Sequence, residues 1–268
     1  MKKIFLTYGD KKFTIAKKHL SLLAKESSFF DNVVALGPKD LDIEFKNKYS
    51  KILNEQKGGG YWIWKHRIIQ NLLEDLSAND LIIYCDAGAS LNYKAKKRFY
   101  EYIEIINESQ YGNFRMECET QYKEIQYTTK ELFNYFNASN DSKIKNSTQL
   151  QAGHMIFKKN QHTKDYLNQY SELLKSDELL ITDFYNSRSQ NDKFIENRHD
   201  QSIFSLLTKT YGGEVIKNET EFKNNPSAQY SYPFLSVRTY GHGIKDQFNF
   251  YLNKKKYAKK IVYFKSFF

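Results

Sequence analysis

The spacing of apolar and polar positions divides the chain into alternating strands and helices. Residues 3–8 are a short apolar run closed by Gly9 and Asp10, the pattern of a strand that ends in a turn. Residues 15–27 group Leu20, Leu23 and neighbouring apolar side chains on one side of a helix. Residues 29–36 contain Val33-Val34-Ala35-Leu36 and stop at Gly37-Pro38, which predicts a second strand. Residues 40–55 are polar and expected to be helical, and Gly58-Gly59-Gly60 then forces a break. Trp64, Ile68, Ile69, Leu72, Leu73 and Leu76 follow at helical spacing as one buried stripe. Leu81 to Cys85 is apolar throughout, as a strand covered on both faces must be. Strand, helix, strand, helix, strand predicts a doubly wound α/β sheet, in which ligands lie beyond the carboxyl ends of the strands. Asp86-Ala87-Gly88 falls at such an end.

The second half is more mixed. Residues 94–107 read as a helix with Phe99, Tyr102, Ile103 and Ile106 inward, and residues 149–158 as strand-like around Gly153. Residues 163–175 and 200–211 are amphipathic helices, and the polar stretch 186–198 between them is expected to be an exposed loop. No internal repeat and no Pro- or Ser-rich linker interrupts the chain, which favours one compact unit.

Composition narrows the classes. With 40% hydrophobic and 16% aromatic residues the 268-residue chain can bury a substantial core, so wholesale disorder is excluded. Its 41 Lys+Arg against 31 Asp+Glu give a net charge of +10, which favours anionic partners. Six lysines and no acid lie in residues 247–268, leaving +4 for the rest. Cys85 and Cys118 make neither a disulfide framework nor, by themselves, a zinc site. The basic opening of the chain fails as a signal peptide because Asp10-Lys11-Lys12 ends its apolar run, and no stretch nears the roughly 18 apolar residues of a spanning helix. The expected location is the cytoplasm, with peripheral contact at the inner face of the membrane as a further expectation.

Several chemistries are absent. There is no Gly-x-Ser-x-Gly elbow and no phosphate-binding loop of the Walker type, and the glycine triplet lacks dinucleotide-fingerprint spacing. None of the six histidines is paired as H-E-x-x-H. What remains is Asp86 at the tip of a buried strand, followed by small residues that leave backbone room for a ligand. A carboxylate there can hold Mg²⁺ or Mn²⁺ bridging diphosphate oxygens, or it can simply cap the turn. One helix upstream, Gly58 to Lys65 offers flexible backbone, aromatic rings and a lysine suited to phosphate. The alternative there is a loop leading into an aromatic core helix.

Three segments together resemble a known family: Gly60-Tyr61-Trp62-Ile63-Trp64-Lys65, then Asp80 to Gly88, then Arg198-His199-Asp200-Gln201-Ser202 through Leu207. They are similar to bacterial and viral glycosyltransferases of the GT-A type, with a Rossmann-like, doubly wound mixed sheet, often acting in surface polysaccharide assembly. The likeness runs from the first strand to about Glu221. It implies a GT-A domain over 1–246, with a nucleotide-sugar half of about 1–92 and an acceptor half of about 93–246, and a basic aromatic tail at 247–268. It implies a hexosyltransferase-like enzyme moving a sugar from a nucleotide sugar, UDP being the expected nucleotide, to a glycan or lipid-linked glycan. Surface polysaccharide, lipopolysaccharide or glycoprotein glycan would be the product.

Roles follow from the resemblance position by position. Asp86 matches the first aspartate of the Asp-x-Asp motif, which contacts the metal and the nucleotide sugar. Thr7, Tyr8 and Asp10 fall where base and ribose are held, and Tyr61, Trp64, Lys65, Ala87 and Gly88 belong to the same nucleotide-sugar set. Ala152, Gly153, His154 and His199 are expected beside the donor sugar and acceptor. Asp200 and Gln201 are expected to be catalytic, Asp200 as base or as stabiliser of an oxocarbenium-like centre. Its alternative is to cap the helix that follows. Two departures stand out: Gly88 replaces a second metal-binding carboxylate, and His66 replaces a proline. His242, between two glycines, is expected to supply the missing ligand to Mn²⁺ or Mg²⁺.

The tail alternates aromatic residues with its lysines, which suits either an anionic lipid surface or a final element with a solvated lysine face. A rival class is a non-catalytic binding module for nucleic acid or acidic glycan. No nucleic-acid signature occurs, and none is expected to bind.

Overall fold

The computed structural model describes residues 1–222 and 226–236, so His242 and the 247–268 tail lie outside the described residues. Six strands form one mixed sheet in the order β2-β1-β3-β6-β5-β7. They are β1 (Lys3–Tyr8), β2 (Asn32–Leu36), β3 (Leu81–Cys85), β5 (Asn113–Met116), β6 (His154–Lys158) and β7 (Glu214–Ile216). The pairs β1·β2, β1·β3 and β5·β7 are parallel, whereas β6 runs antiparallel to both of its neighbours. A two-stranded antiparallel ribbon joins β4 (Ser90–Leu91) to β8 (Phe234–Leu235).

Period-2 alternation in the central strands feeds two cores. Leu6, Tyr8, Ile82, Tyr84, Met155 and Phe157 face the helices Trp64–Glu74, Gln161–Ser176 and Asp200–Tyr211. Phe5, Leu81, Ile83, Cys85 and Ile156 face Thr14–Ser27 and Lys96–Glu108, which contribute Leu20, Leu23, Phe99 and Tyr102. All five residues of β3 are buried, as its unbroken apolar run requires. Among the described residues no helix is long and apolar enough to cross a membrane.

The structure departs from the sequence pattern at four places. The polar 40–55 segment is two short helices, Ile43–Lys48 and Ser50–Leu53, the first capped by Asp42 accepting from the Phe45 N–H. Residues 149–153 lead irregularly into β6, which starts only at His154. Strand β5, Asn-Phe-Arg-Met, alternates over only four residues, and both of its faces are interior because Arg115 is buried among rings opposite Phe114 and Met116. The 186–198 stretch is irregular, yet Asn197 is buried and donates to the Leu180 and Thr182 carbonyls, which pins its end to the body.

Candidate active site

The carboxyl ends of β1, β3 and β5 open on one edge of the sheet, together with the amino end of antiparallel β6. A cavity of about 660 Å³ runs along that edge. Since β1, β3, β6 and β5 are successive neighbours about 4.8 Å apart, the trough spans about 14 Å from the β1 loop to the β5 loop.

At the β1 end Tyr8 stacks on Trp64, ring centroids 3.8 Å apart and 20° from parallel. Burial, with Asp10 and Asp40 nearby, pushes the Tyr8 phenol above its usual range. Asp10 accepts from the Lys12 N–H at 2.8 Å and the Phe13 N–H at 3.3 Å, which fixes the loop after β1. Trp64 owes its place to a run of positive φ from Gly58 to Trp62. A Cβ on Gly60 would lie 2.7 Å from the Leu53 Cα, and one on Gly58 would enter the Trp62 ring, so only glycine fits this turn. The Trp64 Nε1–H then closes onto the Gly58 carbonyl at 3.1 Å. The segment is a tight, packed turn rather than a flexible loop. His66 is tied down in turn: its Nδ1–H donates to the Ile63 carbonyl at 2.8 Å.

The centre of the trough is built on Lys65. Its side chain is only 2% exposed, and its Nζ lies 3.1 Å from Asp86 Oδ1, 2.6 Å from Asp200 Oδ2 and 3.1 Å from the Ala152 carbonyl. Burial disfavours the ammonium, but the two carboxylates outweigh it, and its proton affinity rises. The Asp200 contact is ionic and not aligned as a hydrogen bond, since Oδ2 has no hydrogen-bond partner. Burial pushes Asp200 up to about 6, against the pull of Lys65 and with the push of Asp86. Asp200 opens its helix; His199, at φ 56° and ψ −122°, holds the N-cap position without a side-chain cap bond. Asp200 is therefore not the cap, and the strained backbone at His199 aims it at Lys65.

Asp86 differs from Asp200 in access. Its side chain is 42% exposed, and Oδ1 accepts from the Tyr84 hydroxyl at 2.6 Å. A Cβ at Gly153 would lie 3.2 Å from Oδ2, so glycine there keeps the second oxygen's surroundings open. Among the described residues no three His, Cys, Asp or Glu side chains group as a metal site. Asp86 Oδ2 alone still fits a hard cation of the Mg²⁺ kind, which takes one or two carboxylates and completes its shell with phosphate and water. The charge of the wall agrees. Among the described residues it carries four cations, Lys12, Lys57, Lys65 and Arg198, and five acids, Asp10, Asp86, Glu196, Asp200 and Glu221, a formal balance of −1. A chain of net charge +10 thus presents a cavity that a diphosphate enters best with a counter-cation.

Most of the expected residues meet here: Tyr8, Asp10, Trp64, Lys65, Asp86, Ala87, Gly88, Ala152, Gly153, His154, His199, Asp200 and Gln201 all border the trough. Two do not. Thr7 is fully buried on the opposite face of β1 from Tyr8, and Tyr61 sits behind the wall, its ring 4.9 Å from that of His199. His154 is buried with both ring nitrogens unpartnered, and burial lowers it to about 4, so the ring is neutral. His199 is likewise lowered to about 4 by burial, with Nδ1 2.8 Å from the Ile181 carbonyl. Gln201 donates to Gln149 Oε1 at 2.7 Å, joining the helix to the approach to β6. Sequence reasoning missed Tyr84, hidden inside an apolar strand, and Asp183, which holds Lys57 at 3.0 Å and faces His199 at 3.7 Å. It quoted Arg198 without giving it a role, and Tyr122 carried no signal.

No protein-family profile matches the sequence, and no curated protein matches it. Solved structures do resemble it in shape. The bifunctional glycosyltransferase WbbM aligns over 89% of this chain and 46% of its own, at 9% identity and a TM-score of 0.51. A glycosyltransferase involved in glycosylation of the major capsid of PBCV-1 aligns over 92% of this chain and 100% of its own, at 13% identity and 0.48. The galactosyltransferase LgtC, solved with donor and acceptor sugar analogues, aligns over 85% and 78%, at 11% identity and 0.41. The likeness to WbbM, with the mixed six-stranded sheet, identifies the fold as GT-A.

Proposed function

We propose that the protein is a glycosyltransferase that moves a hexose-like sugar from a nucleoside diphosphate to a glycan or lipid-linked glycan acceptor. The observation that carries this reading is the buried Lys65 ammonium held between Asp86 and Asp200 at the sheet edge. Fixed charges of both signs, one of them a buried ammonium, suit a reaction that separates charge between a sugar and its leaving diphosphate. The nucleotide base lies at the Tyr8–Trp64 stack, with Asp10 within reach of the ribose. UDP is the nucleotide we favour, by the family resemblance.

The residues of the centre then divide the work. Asp86 would hold a divalent cation, Mn²⁺ or Mg²⁺, which would supply charge neutralisation at the diphosphate. Lys65 fixes the spacing of Asp86 and Asp200 and keeps Asp200 ionised at neutral pH. An acceptor hydroxyl attacks the anomeric carbon, the bond from that carbon to the diphosphate oxygen breaks, the diphosphate leaves with both electrons, and the proton of the hydroxyl passes to the departing diphosphate oxygen. Asp200, buried beneath the sugar, stabilises the positive charge that builds on the ring. Acceptor binding falls to the β5 end, where Gln151, Gln201 and Tyr122 offer amide and aromatic surfaces. A nucleic-acid groove is disfavoured by the negative wall.

A screen of nucleotide-sugar hydrolysis without acceptor, with and without Mn²⁺, tests the reading. Hydrolysis of at least one sugar nucleotide, lost in Asp200→Asn, is expected. No turnover of any donor, together with no nucleotide binding, removes it.

A further inference from the structure

Of the four cations on the cavity wall, Lys57 is paired with Asp183 and Lys65 with two carboxylates. Lys12 and Arg198 have no acid partner among the described residues. They sit apart, Lys12 in the loop after β1 and Arg198 against the segment that follows β5. The Arg198 guanidinium carbon is 3.7 Å from the Tyr127 ring centroid and 4.3 Å from that of Tyr122. Its backbone N–H donates to Ser202 Oγ at 3.0 Å and to the Tyr127 carbonyl at 3.2 Å. The guanidinium itself makes no hydrogen bond among the described residues. The backbone and the position of the guanidinium carbon are thus both held, while its N–H donors remain available to the cavity.

We infer that Arg198 recognises an acid group, a carboxylate or a phosphate, carried by the acceptor. The inference rests on the transferase reading above and adds the class of acceptor. A planar fork of N–H donors matches two oxygens of one anion, and cation–π contact with two tyrosine rings pre-pays the ordering of a long side chain. The place is that of the acceptor and not of the donor. Cys118, two residues beyond β5, feels the charges of both Arg198 and Glu221, and the Tyr8–Trp64 stack lies three strand spacings away. Glu196 and Glu221 border the same end. They suit sugar hydroxyls and repel an anion placed anywhere else, so the acid group has one position in which it is welcome.

The test uses the full chain saturated with UDP and three probes of similar size: a hexuronate-terminated disaccharide, a hexose phosphate and a neutral disaccharide. Affinities are read by calorimetry. One acidic probe is expected to bind about tenfold or more tighter than the neutral one, and Arg198→Gln to abolish that preference. Arg198→Lys, which keeps the charge and loses the fork, is expected to retain only part of it. Which acidic probe wins identifies the acid as carboxylate or phosphate. Equal affinity for acidic and neutral probes, or a preference that survives in Arg198→Gln, overturns the assignment. UDP binding on the same sample separates the two readings: UDP bound without acid preference sinks Arg198 alone. Where Arg198→Gln fails to fold, Arg198→Lys carries the same comparison, and equal wild-type affinity for all three probes overturns the assignment without any variant.

Discussion

Two buried cations lie on the same side of the sheet and are accommodated in opposite ways. Lys65 is surrounded by two carboxylates and a carbonyl at the cavity. Arg115, fully buried on β5, has no carboxylate in reach among the described residues. Its guanidinium carbon lies 4.7 Å from the Phe157 ring and 4.8 Å from that of Phe204, and Nη2 donates to the Tyr166 hydroxyl at 2.9 Å. Ring faces and two hydroxyls, those of Tyr166 and Thr208, make the Arg115 charge tolerable without exchangeable partners, so it closes the core. Opposite charges make Lys65 tolerable, and those charges are the ones a ligand can also use. Burial of a charge therefore does not mark function. The kind of partner does.

The largest effect is expected at Lys65. Lys65→Met leaves two carboxylates facing each other in a buried site, which costs about 3 kcal/mol of stability by the usual penalty for breaking such a cluster. Turnover is expected to fall about 10³-fold. Urea melts and kcat measure both. A Lys65→Met enzyme that keeps its activity would erase the difference between the two cations.

Next comes the pH dependence of Asp200. Its folded pKa, about 6, stands above the ordinary carboxyl value of 3.8, so the folded chain holds this proton more tightly than the unfolded one. The ionised group therefore costs stability above pH 6, and that cost fades as pH falls from 6 towards 4. Activity runs the other way, declining on the acid side with a midpoint near 6 as the carboxylate is lost. Asp200→Asn is expected to lower turnover about 10²-fold with a flat acid limb, and wild type to gain stability relative to it on acidification. An acid limb that persists in Asp200→Asn points to another group.

The smallest effect is expected at Arg115. Arg115→Met exchanges ring contacts for relief from burying a charge, so stability should change by no more than about 2 kcal/mol. Turnover should stay within about twofold of wild type. A loss comparable to that of Lys65→Met would mean that Arg115 also serves the site.

The same contrast explains what could be read in the sequence. Leu81–Cys85 and Asp200–Tyr211 were visible because one is unbroken in its apolar run and the other is periodic. Asp86, Lys65 and Asp200 were each visible as residues at element ends. That one ammonium joins the other two was not, because the carboxylates are 21 and 135 residues further along the chain. Only the crossing of the Trp64–Glu74 and Asp200–Tyr211 helices over β3 creates the contact. Strand β5 escaped notice because the Arg115 charge is satisfied by rings from β6 and two helices, none of them local. Tyr84 was read as part of an apolar run, and its hydroxyl acts only where the strand ends beside Asp86.

The most direct measurement is a calorimetric titration of UDP into wild type and Asp86→Asn, each with Mn²⁺ and with a chelator. Wild type should bind UDP more tightly with Mn²⁺ than with chelator, and Asp86→Asn should lose that gain while its melting temperature holds. Equal UDP affinity in both proteins, whatever the metal, would contradict a diphosphate seated at Asp86.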